Sequence, residues 1–363
     1  MTVPGDVNIL DDMAAMDRAD GDGMLDLVAG LADRVTDGWR LSRELELPRG
    51  TPRSVALLGM GGSAIGGDLV KAIWSDRISV PFEVLRGYEL PASVGPDTLV
   101  IASSKSGSTE ETLRQLETAL TRRCPVVCVS SGGALRRVAE AAKLPLAVIP
   151  EGGSPRAALG WSLAIVAGIL ERAGVLELSG REIEAAVVST RETVAGCAPD
   201  VPTAENPAKQ LAWSLVDRFV LVSRAGFLAP VARRWKTQLN ENSKAAEVYE
   251  ELPEAMHNTV VGFEQPESLR DHLAVVVLRS ELEHPRNALR AQLIGDVLDT
   301  GLIWHTSVET SGEGRLGHAL SGILTGDYVS VYTAFMYAVD PNPIVVVDHI
   351  KEQLALADQA ASE

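Results

Sequence analysis

Residues 240–244 read Asn-Glu-Asn-Ser-Lys, and His257 follows sixteen residues after Glu241, within Pro-Glu-Ala-Met-His-Asn. A carboxylate and an imidazole, both beside amide side chains, suit two separate proton transfers. Two further turns offer a place for a small anion. Gly59-Met-Gly-Gly-Ser-Ala-Ile-Gly-Gly follows one apolar run, and Ser104-Lys-Ser-Gly-Ser-Thr-Glu-Glu-Thr follows another. Backbone amides at a helix start are unpaired, and the helix dipole favours negative charge there. The hydroxyls of Ser104, Ser106 and Thr109 would complete a phosphate cradle. The simpler alternative is an ordinary cap, with Ser108 or Thr109 capping a helix that starts near Ser108 and Glu111 in its first turn. Three hydroxyls and Gly107 within six residues exceed what a cap needs.

Glu241 falls at the end of an expected helix over 229–240, where a solvated surface Glu is the bland alternative. Asn240 and Asn242 are poor helix formers, so their presence on both sides asks for a reason. His257 alone would equally suit a structural histidine. Arg156, in Gly-Gly-Ser-Pro-Arg, fits a clamp for a developing oxyanion and a surface salt bridge equally well. Gly59-x-Gly61-x-x-Ala64, with Glu83 further on, also satisfies a dinucleotide fingerprint. A nicotinamide site would leave the hydroxyl cluster, Glu241 and His257 unexplained. No HxxxH, HExxH or GxSxG pattern occurs, so neither a metal site nor a serine nucleophile is expected.

The elements that must carry these residues follow from periodicity. Short apolar runs at 55–58, 82–85, 99–102, 126–129 and 146–149 alternate with helical patterns at 64–74 and 109–121. Such alternation predicts βαβ units and a parallel sheet buried on both faces. The all-apolar helix expected over 157–174 must lie against the sheet or a subunit partner. A second alternation places strands near 219–222, 246–249, 273–278 and 302–304, and helices at 229–240, 285–299 and 317–338, with a final helix over 342–357. Residues 1–45 read as a helical lead-in, 46–178 as a first α/β unit with the phosphate site, and 179–363 as a second with the catalytic Glu and His. Residues 179–206, with mixed charge, two prolines and a helical stretch, read as the connection between the domains. The acidic cluster Asp17, Asp20 and Asp22 lacks calcium-loop spacing and reads as a helix-start turn.

A chain of 363 residues suits two sizeable cores. Its net charge of −16 and 4% aromatic content argue against nucleic acid and anionic membranes as partners. Cys124, Cys128 and Cys197 form no CxxC pair and read as buried free thiols. With no visible export signal, the expected setting is cytoplasmic.

The ordered set of motifs resembles the bifunctional phosphoglucose/phosphomannose isomerases, sugar isomerase (SIS) fold proteins. The resemblance rests on Gly59-Met-Gly-Gly-Ser, Ser104-Lys-Ser-Gly-Ser-Thr-Glu-Glu-Thr, Ser154-Pro-Arg, Asn240-Glu-Asn-Ser-Lys, Pro253-Glu-x-x-His-Asn, Asp327-Tyr-Val-Ser-Val-Tyr and Val339-Asp-Pro. It implies two SIS subdomains, each a five-stranded parallel sheet flanked by helices, and a homodimer acting on a sugar phosphate without a cofactor or metal. It implies that Glu241 moves the proton between C1 and C2 through a cis-enediol. His257, helped by the partner subunit, and Lys351 would open the ring. Arg156 would stabilise the enediolate. Ser104, Ser106 and Thr109 would hold the phosphate, with Gly62 and Ser63 beside the sugar. Relatives often carry Thr where Asn342 stands, in the region associated with accepting both C2 epimers. Competing functions are a phosphosugar sensor with little catalysis, a phosphosugar aminotransferase half, and an NAD-dependent Rossmann enzyme.

Overall fold

The computed structural model describes residues 7–362. A 3₁₀ turn, Val7–Asp11, leads into helices α1 (Met13–Ala19), α2 (Met24–Ala29) and α3 (Leu31–Glu44). The expected helix-start turn is present. The Asp20 carboxylate accepts from the amides of Met24 and Leu25 at 2.6 and 2.8 Å, satisfying two of the donors that open α2.

The first sheet contains β1 (Ser54–Leu58), β2 (Phe82–Leu85), β3 (Thr98–Ser103), β4 (Val126–Ser130) and β5 (Leu146–Val148). Their order is β2-β1-β3-β4-β5, with every pairing parallel. Helices α4 (Gly61–Ile73), α5 (Glu110–Thr121), α6 (Gly133–Ala141) and α7 (Leu159–Arg172) cross over its faces. All six residues of β3 and all five of β4 are buried, as unbroken apolar strands between two helical layers must be. Cys128 and Cys197 are buried free thiols, and burial pushes them up to about 12 and about 11.

Helix α7 is the expected apolar helix, and its surroundings answer where it lies. It packs on α3 and α4 of its own chain. Gly160 allows this approach: a Cβ there would stand 2.8 Å from both Leu31 O and Arg34 Cβ. The apolar face is therefore internal core, and not a subunit surface.

Residues 179–206 are more than a connection. They form the 18-residue α8 (Gly180–Cys197), opened by a Ser179–Glu182 capping box. Helix α8 packs on both α3 and α12 (Gly314–Met336), so it belongs to the core of both halves. Between them lie α9 (Pro207–Leu215), α10 (Ala229–Gln238) and α11 (Pro285–Thr300), and α13 (Val345–Ser362) ends the described chain.

The second sheet contains β6 (Phe219–Ala225), β7 (Glu247–Leu252), β8 (Leu273–Arg279) and β9 (Trp304–Glu309), ordered β7-β6-β8-β9 and again parallel. It has four strands among the described residues, where the resemblance implied five. After β9 the chain passes through Thr310-Ser-Gly-Glu-Gly directly into α12, and no further strand follows among the described residues. Helix α12 is buried along most of its length and joins one hydrophobic cluster that includes Leu57 of β1, Val166 of α7 and Val222 of β6. Both sheets thus contribute to one shared core, and each also has a smaller cluster of its own. None of the helices is long and apolar enough to cross a membrane among the described residues.

Candidate active site

The hydroxyl turn sits at the C-terminal end of β3, where parallel sheets open their ligand crevice. Ser104 is 2% exposed, and its Oγ lies 2.8 Å from Thr109 Oγ1 and 3.5 Å from Ser106 Oγ. The simple cap is not what forms. Thr109 stands at the N-cap of α5, but its side chain caps nothing, because its hydroxyl is engaged with Ser104. The opening amides of α5 therefore receive no side-chain cap from Thr109, which leaves donors of the kind an anion site uses. Gly107 makes the bend possible. Its φ is +66°, and a Cβ there would fall on the carbonyl of Gly132.

The glycine-rich turn after β1 runs into α4, whose N-cap Met60 offers no side-chain bond. Ser63 Oγ accepts from the Lys105 amide at 3.4 Å, which sets the two turns side by side. Lys105 is buried, with its ammonium donating to the carbonyls of Gly152 and Gly153. Burial lowers its ordinary value. Lys105 thereby ties the hydroxyl turn to the loop that delivers Ser154-Pro155-Arg156. A Cβ on Gly62 would meet the Pro155 carbonyl at 3.1 Å, so the three segments converge.

Arg156 is 6% exposed, which removes the surface salt-bridge alternative. Its Nε donates to Ser154 Oγ at 3.1 Å. Nη2 donates to the carbonyls of Pro341 and Asn342 at 3.3 and 2.7 Å. Nη1 faces Glu241 Oε2 at 3.4 Å. Burial lowers the Arg156 guanidinium from its ordinary value, and Glu241 pushes it back up.

Glu241 is not at the end of an α-helix. Helix α10 stops at Gln238, and Leu239–Ser243 form a π-helical turn closed by Lys244 at φ +57°. A π turn inserts an extra residue per turn and re-aims side chains, which is why such turns gather at functional sites. The flanking asparagines now have a reason. Asn240 Nδ2 donates to the Ala245 carbonyl at 2.7 Å, and the fully buried Asn242 donates to Ser330 Oγ at 2.8 Å. Lys244 Nζ donates to the Glu241 carbonyl at 2.7 Å. The backbone around Glu241 is held on both sides, and its side chain stays 35% exposed.

Gly62, Arg156 and Glu241 line one pocket of about 120 Å³, together with Arg86, Arg233 and Arg234. A wider cleft of about 520 Å³ lies beyond Arg233, between α4 and the ends of β6 and β7. It holds none of the candidate residues, so size does not mark the chemistry here. Arg86 and Arg233 were not among the residues expected from the sequence. They share the carboxylate of Asp68. Their signal lies only in proximity, since neither belongs to a motif.

His257 and Lys351 are not brought to this pocket within the chain. His257 ends a 3₁₀ turn, Glu254–His257, after β7 and is exposed. Lys351 is exposed on α13, 3.8 Å from Asp348. Asn342 turns its side-chain amide to Asp340 and Asp20, at 3.2 and 3.3 Å, while its carbonyl receives Arg156.

A family described as the bacterial phospho-glucose isomerase C-terminal SIS domain matches residues 204–354. The chain is 35% identical over 302 residues to the bifunctional phosphoglucose/phosphomannose isomerase of Caldicellulosiruptor bescii, covering 83% of this chain and 89% of that one. It is 32% identical over 304 residues to the protein of the same name from Aquifex aeolicus, covering 83% and 90%. In structure it resembles a glucose-6-phosphate isomerase like protein from Thermus thermophilus, with a TM-score of 0.64 at 21% identity over 93% of this chain and 98% of that one. It also resembles the C-terminal domain of glucosamine-fructose-6-phosphate aminotransferase from Francisella tularensis, with a TM-score of 0.69 at 14% identity over 88% and 98%. At those identities the structural likeness speaks for the SIS fold alone. The sequence relationship, over most of both chains, goes further: this chain belongs to the bifunctional phosphoglucose/phosphomannose isomerase family.

Proposed function

We propose that the chain interconverts glucose 6-phosphate and mannose 6-phosphate with fructose 6-phosphate by proton transfer through a cis-enediol. The observation that carries this is the Arg156–Glu241 pair on the wall of a pocket that Gly62 also lines, next to Ser63, which touches the hydroxyl turn. The phosphate rests on Ser104, Ser106, Thr109 and the amides opening α5, and the C1–C2 end of the open-chain sugar enters beside Gly62 and Ser63. Glu241 removes the C2 proton and returns it to C1. Between those two transfers the enediolate carries its charge on O1 and O2, the O2 hydroxyl proton passes to O1, and Arg156 opposes the charge with donors that are already oriented. A base that is held at its backbone and free at its carboxylate suits a transfer spanning two carbons. A sensor without catalysis would have no use for this pair, and no observation favours a nicotinamide. Asn342 offers its backbone, not its side chain, to the Arg156 side of the site. We therefore read the pocket as open to both C2 epimers.

Ring opening needs an acid that this pocket does not receive from its own chain's described residues. We assign it to His257, with Lys351 assisting, brought in by a second copy in a homodimer. Two observations support that partner. His257 and Lys351 are exposed away from the pocket. Val346, Val347, Ile350 and Leu354 repeat at helical spacing on α13 and are 40–73% exposed, a face that a second copy would cover. The buried free thiols fit a reducing compartment, and we read the setting as cytoplasmic.

Three outcomes check this. Glu241→Gln lowers kcat at least about 10²-fold and abolishes exchange of the C2 proton with solvent, because a general base contributes about 10²–10⁴-fold. Near wild-type exchange in that variant means that the base is elsewhere. Thr109→Ala raises KM for the sugar phosphate more than it lowers kcat, by removing one charge-assisted hydrogen bond of about 1.5–3 kcal/mol. An unchanged KM there and in Ser104→Ala and Ser106→Ala would move the phosphate off this turn. Finally, inactive Glu241→Gln and inactive His257→Ala are mixed and allowed to exchange subunits. Activity returns to about a quarter of wild type, since random exchange makes half the dimers mixed and each mixed dimer keeps one intact site. No return of activity contradicts the shared site.

A further inference from the structure

Arg156 and Glu241 come from segments 85 residues apart, yet both are braced by the same turn of one buried helix. Arg234, on α10, donates from Nη2 to the Arg156 carbonyl at 3.2 Å. The same guanidinium is forked onto Asp327 of α12, Nε to Oδ1 at 3.0 Å and Nη2 to Oδ2 at 2.6 Å. Arg34, on α3, donates from Nε to the next carbonyl, that of Ala157, at 3.0 Å, and from Nη1 to Leu27 O at 2.8 Å. Three residues along α12 from Asp327, Ser330 receives the Asn242 amide at 2.8 Å and donates to the Asp327 carbonyl at 2.7 Å. Asn242 adjoins Glu241. Residues three apart on a helix lie on one face, so one face of α12 holds the Arg156 turn through Asp327 and Arg234, and the Glu241 turn through Ser330 and Asn242.

We propose that Asp327 and Ser330 are positioning residues that together set the separation between Arg156 and Glu241. This rests on the roles given above to those two groups. Neither α12 residue faces the pocket, and both are buried, Asp327 to 4% and Ser330 to 0% exposure. Stability is a poor reason for the arrangement. A buried ion pair is often no better than apolar packing of the same volume, whereas its fork geometry fixes direction. Asp327 also opposes the mutual repulsion of three buried guanidiniums, those of Arg34, Arg156 and Arg234. Burial raises the Asp327 carboxyl from its ordinary value, and Arg234 draws it back. The chemistry needs this rigidity because a misplacement of about 1 Å costs about 10²-fold in rate.

The test compares Asp327→Asn, Arg234→Lys and Ser330→Ala with Arg156→Ala as the reference. Each is assayed for kcat and KM, and for affinity toward two phosphates. One is an aldonohydroxamate phosphate, which mimics the planar enediolate. The other is glucitol 6-phosphate, which keeps the phosphate and chain but cannot form the enediolate. Asp327→Asn and Ser330→Ala are each expected to lose at least about fivefold in kcat and a matching factor in hydroxamate affinity, while glucitol 6-phosphate affinity stays within about twofold; Arg234→Lys, whose side chain also lines the pocket, is read on kcat alone and is expected to lose at least about fivefold. Smaller losses in both Ser330→Ala and Arg234→Lys overturn the proposal, whether or not Asp327→Asn folds. Equal loss of both ligands also overturns it, since that marks general loosening. If Arg156→Ala is crippled and the α12 variants are not, only the positioning role fails. If Arg156→Ala retains kcat, its assigned catalytic role fails as well.

Discussion

A buried guanidinium must find acceptors, and Arg156 finds them on three separate stretches of chain: Ser154 beside it, Glu241 after α10, and the carbonyls of Pro341 and Asn342 before α13. Leaving such donors unpaired would be costly, so closing the site and satisfying Arg156 are one requirement. The demand draws a loop of the first sheet, a π turn of the second half and the entry to the last helix to one point. The Nη1–Oε2 separation of 3.4 Å is long for a charge-assisted bond, which is usually about 2.7–2.9 Å. That contact is therefore the loosest of the four, and the one a substrate would open by entering between base and guanidinium. The carbonyl contacts and the Ser154 contact would keep Arg156 oriented when it does.

The chain carries a net charge of −16 and still offers an anion a favourable place. The positive side is local. Arg86, Arg156, Arg233 and Arg234 line one small pocket, and Ser63, next to the lining residue Gly62, touches the hydroxyl turn that leads into α5. Focusing of this kind acts over a few ångströms in a partly desolvated cleft, while the overall acidic surface repels polyanions. Such a contrast favours a small anion over a polyanion.

Much of this was legible in the residues. The strands of the first sheet, with β6 and β8, fall where apolar runs predicted them, because parallel strands buried on both faces leave continuous Val, Ile, Leu and Ala signatures, whereas β9 (Trp304–Glu309) is polar and only partly buried and begins where the run expected at 302–304 ends. Arg156, Glu241, Gly62, Ser63 and the hydroxyl turn converge from motifs that are far apart in sequence. The missing parts have physical causes. The π turn was invisible because helix propensity only says that Asn240-Glu-Asn interrupts a helix, not how. Thr109 looked like a cap because capping is the local default, and only its distance to Ser104 reveals otherwise. The helix at 157–174 was apolar all round, so its burial was evident but its neighbour, α3, was not. Asp327 and Ser330 read as polar interruptions in a core helix, and their partners are tertiary. His257 and Lys351 were identified by motif or tail position, and no intrachain packing draws either to the pocket.

The central claim is that Glu241, as base, and Arg156, as the group opposing charge on the oxygens, act together on the C1–C2 unit. A crystal structure of the complex with an aldonohydroxamate phosphate tests it most directly. The account predicts the phosphate on Ser104, Ser106 and Thr109, with the hydroxamate oxygens turned to Arg156. It also predicts a Glu241 carboxylate oxygen within about 2.6–3.2 Å of the hydroxamate, in place of its contact with Arg156. A hydroxamate lodged in the wider cleft beyond Arg233, with the Arg156–Glu241 pair still closed, would contradict it.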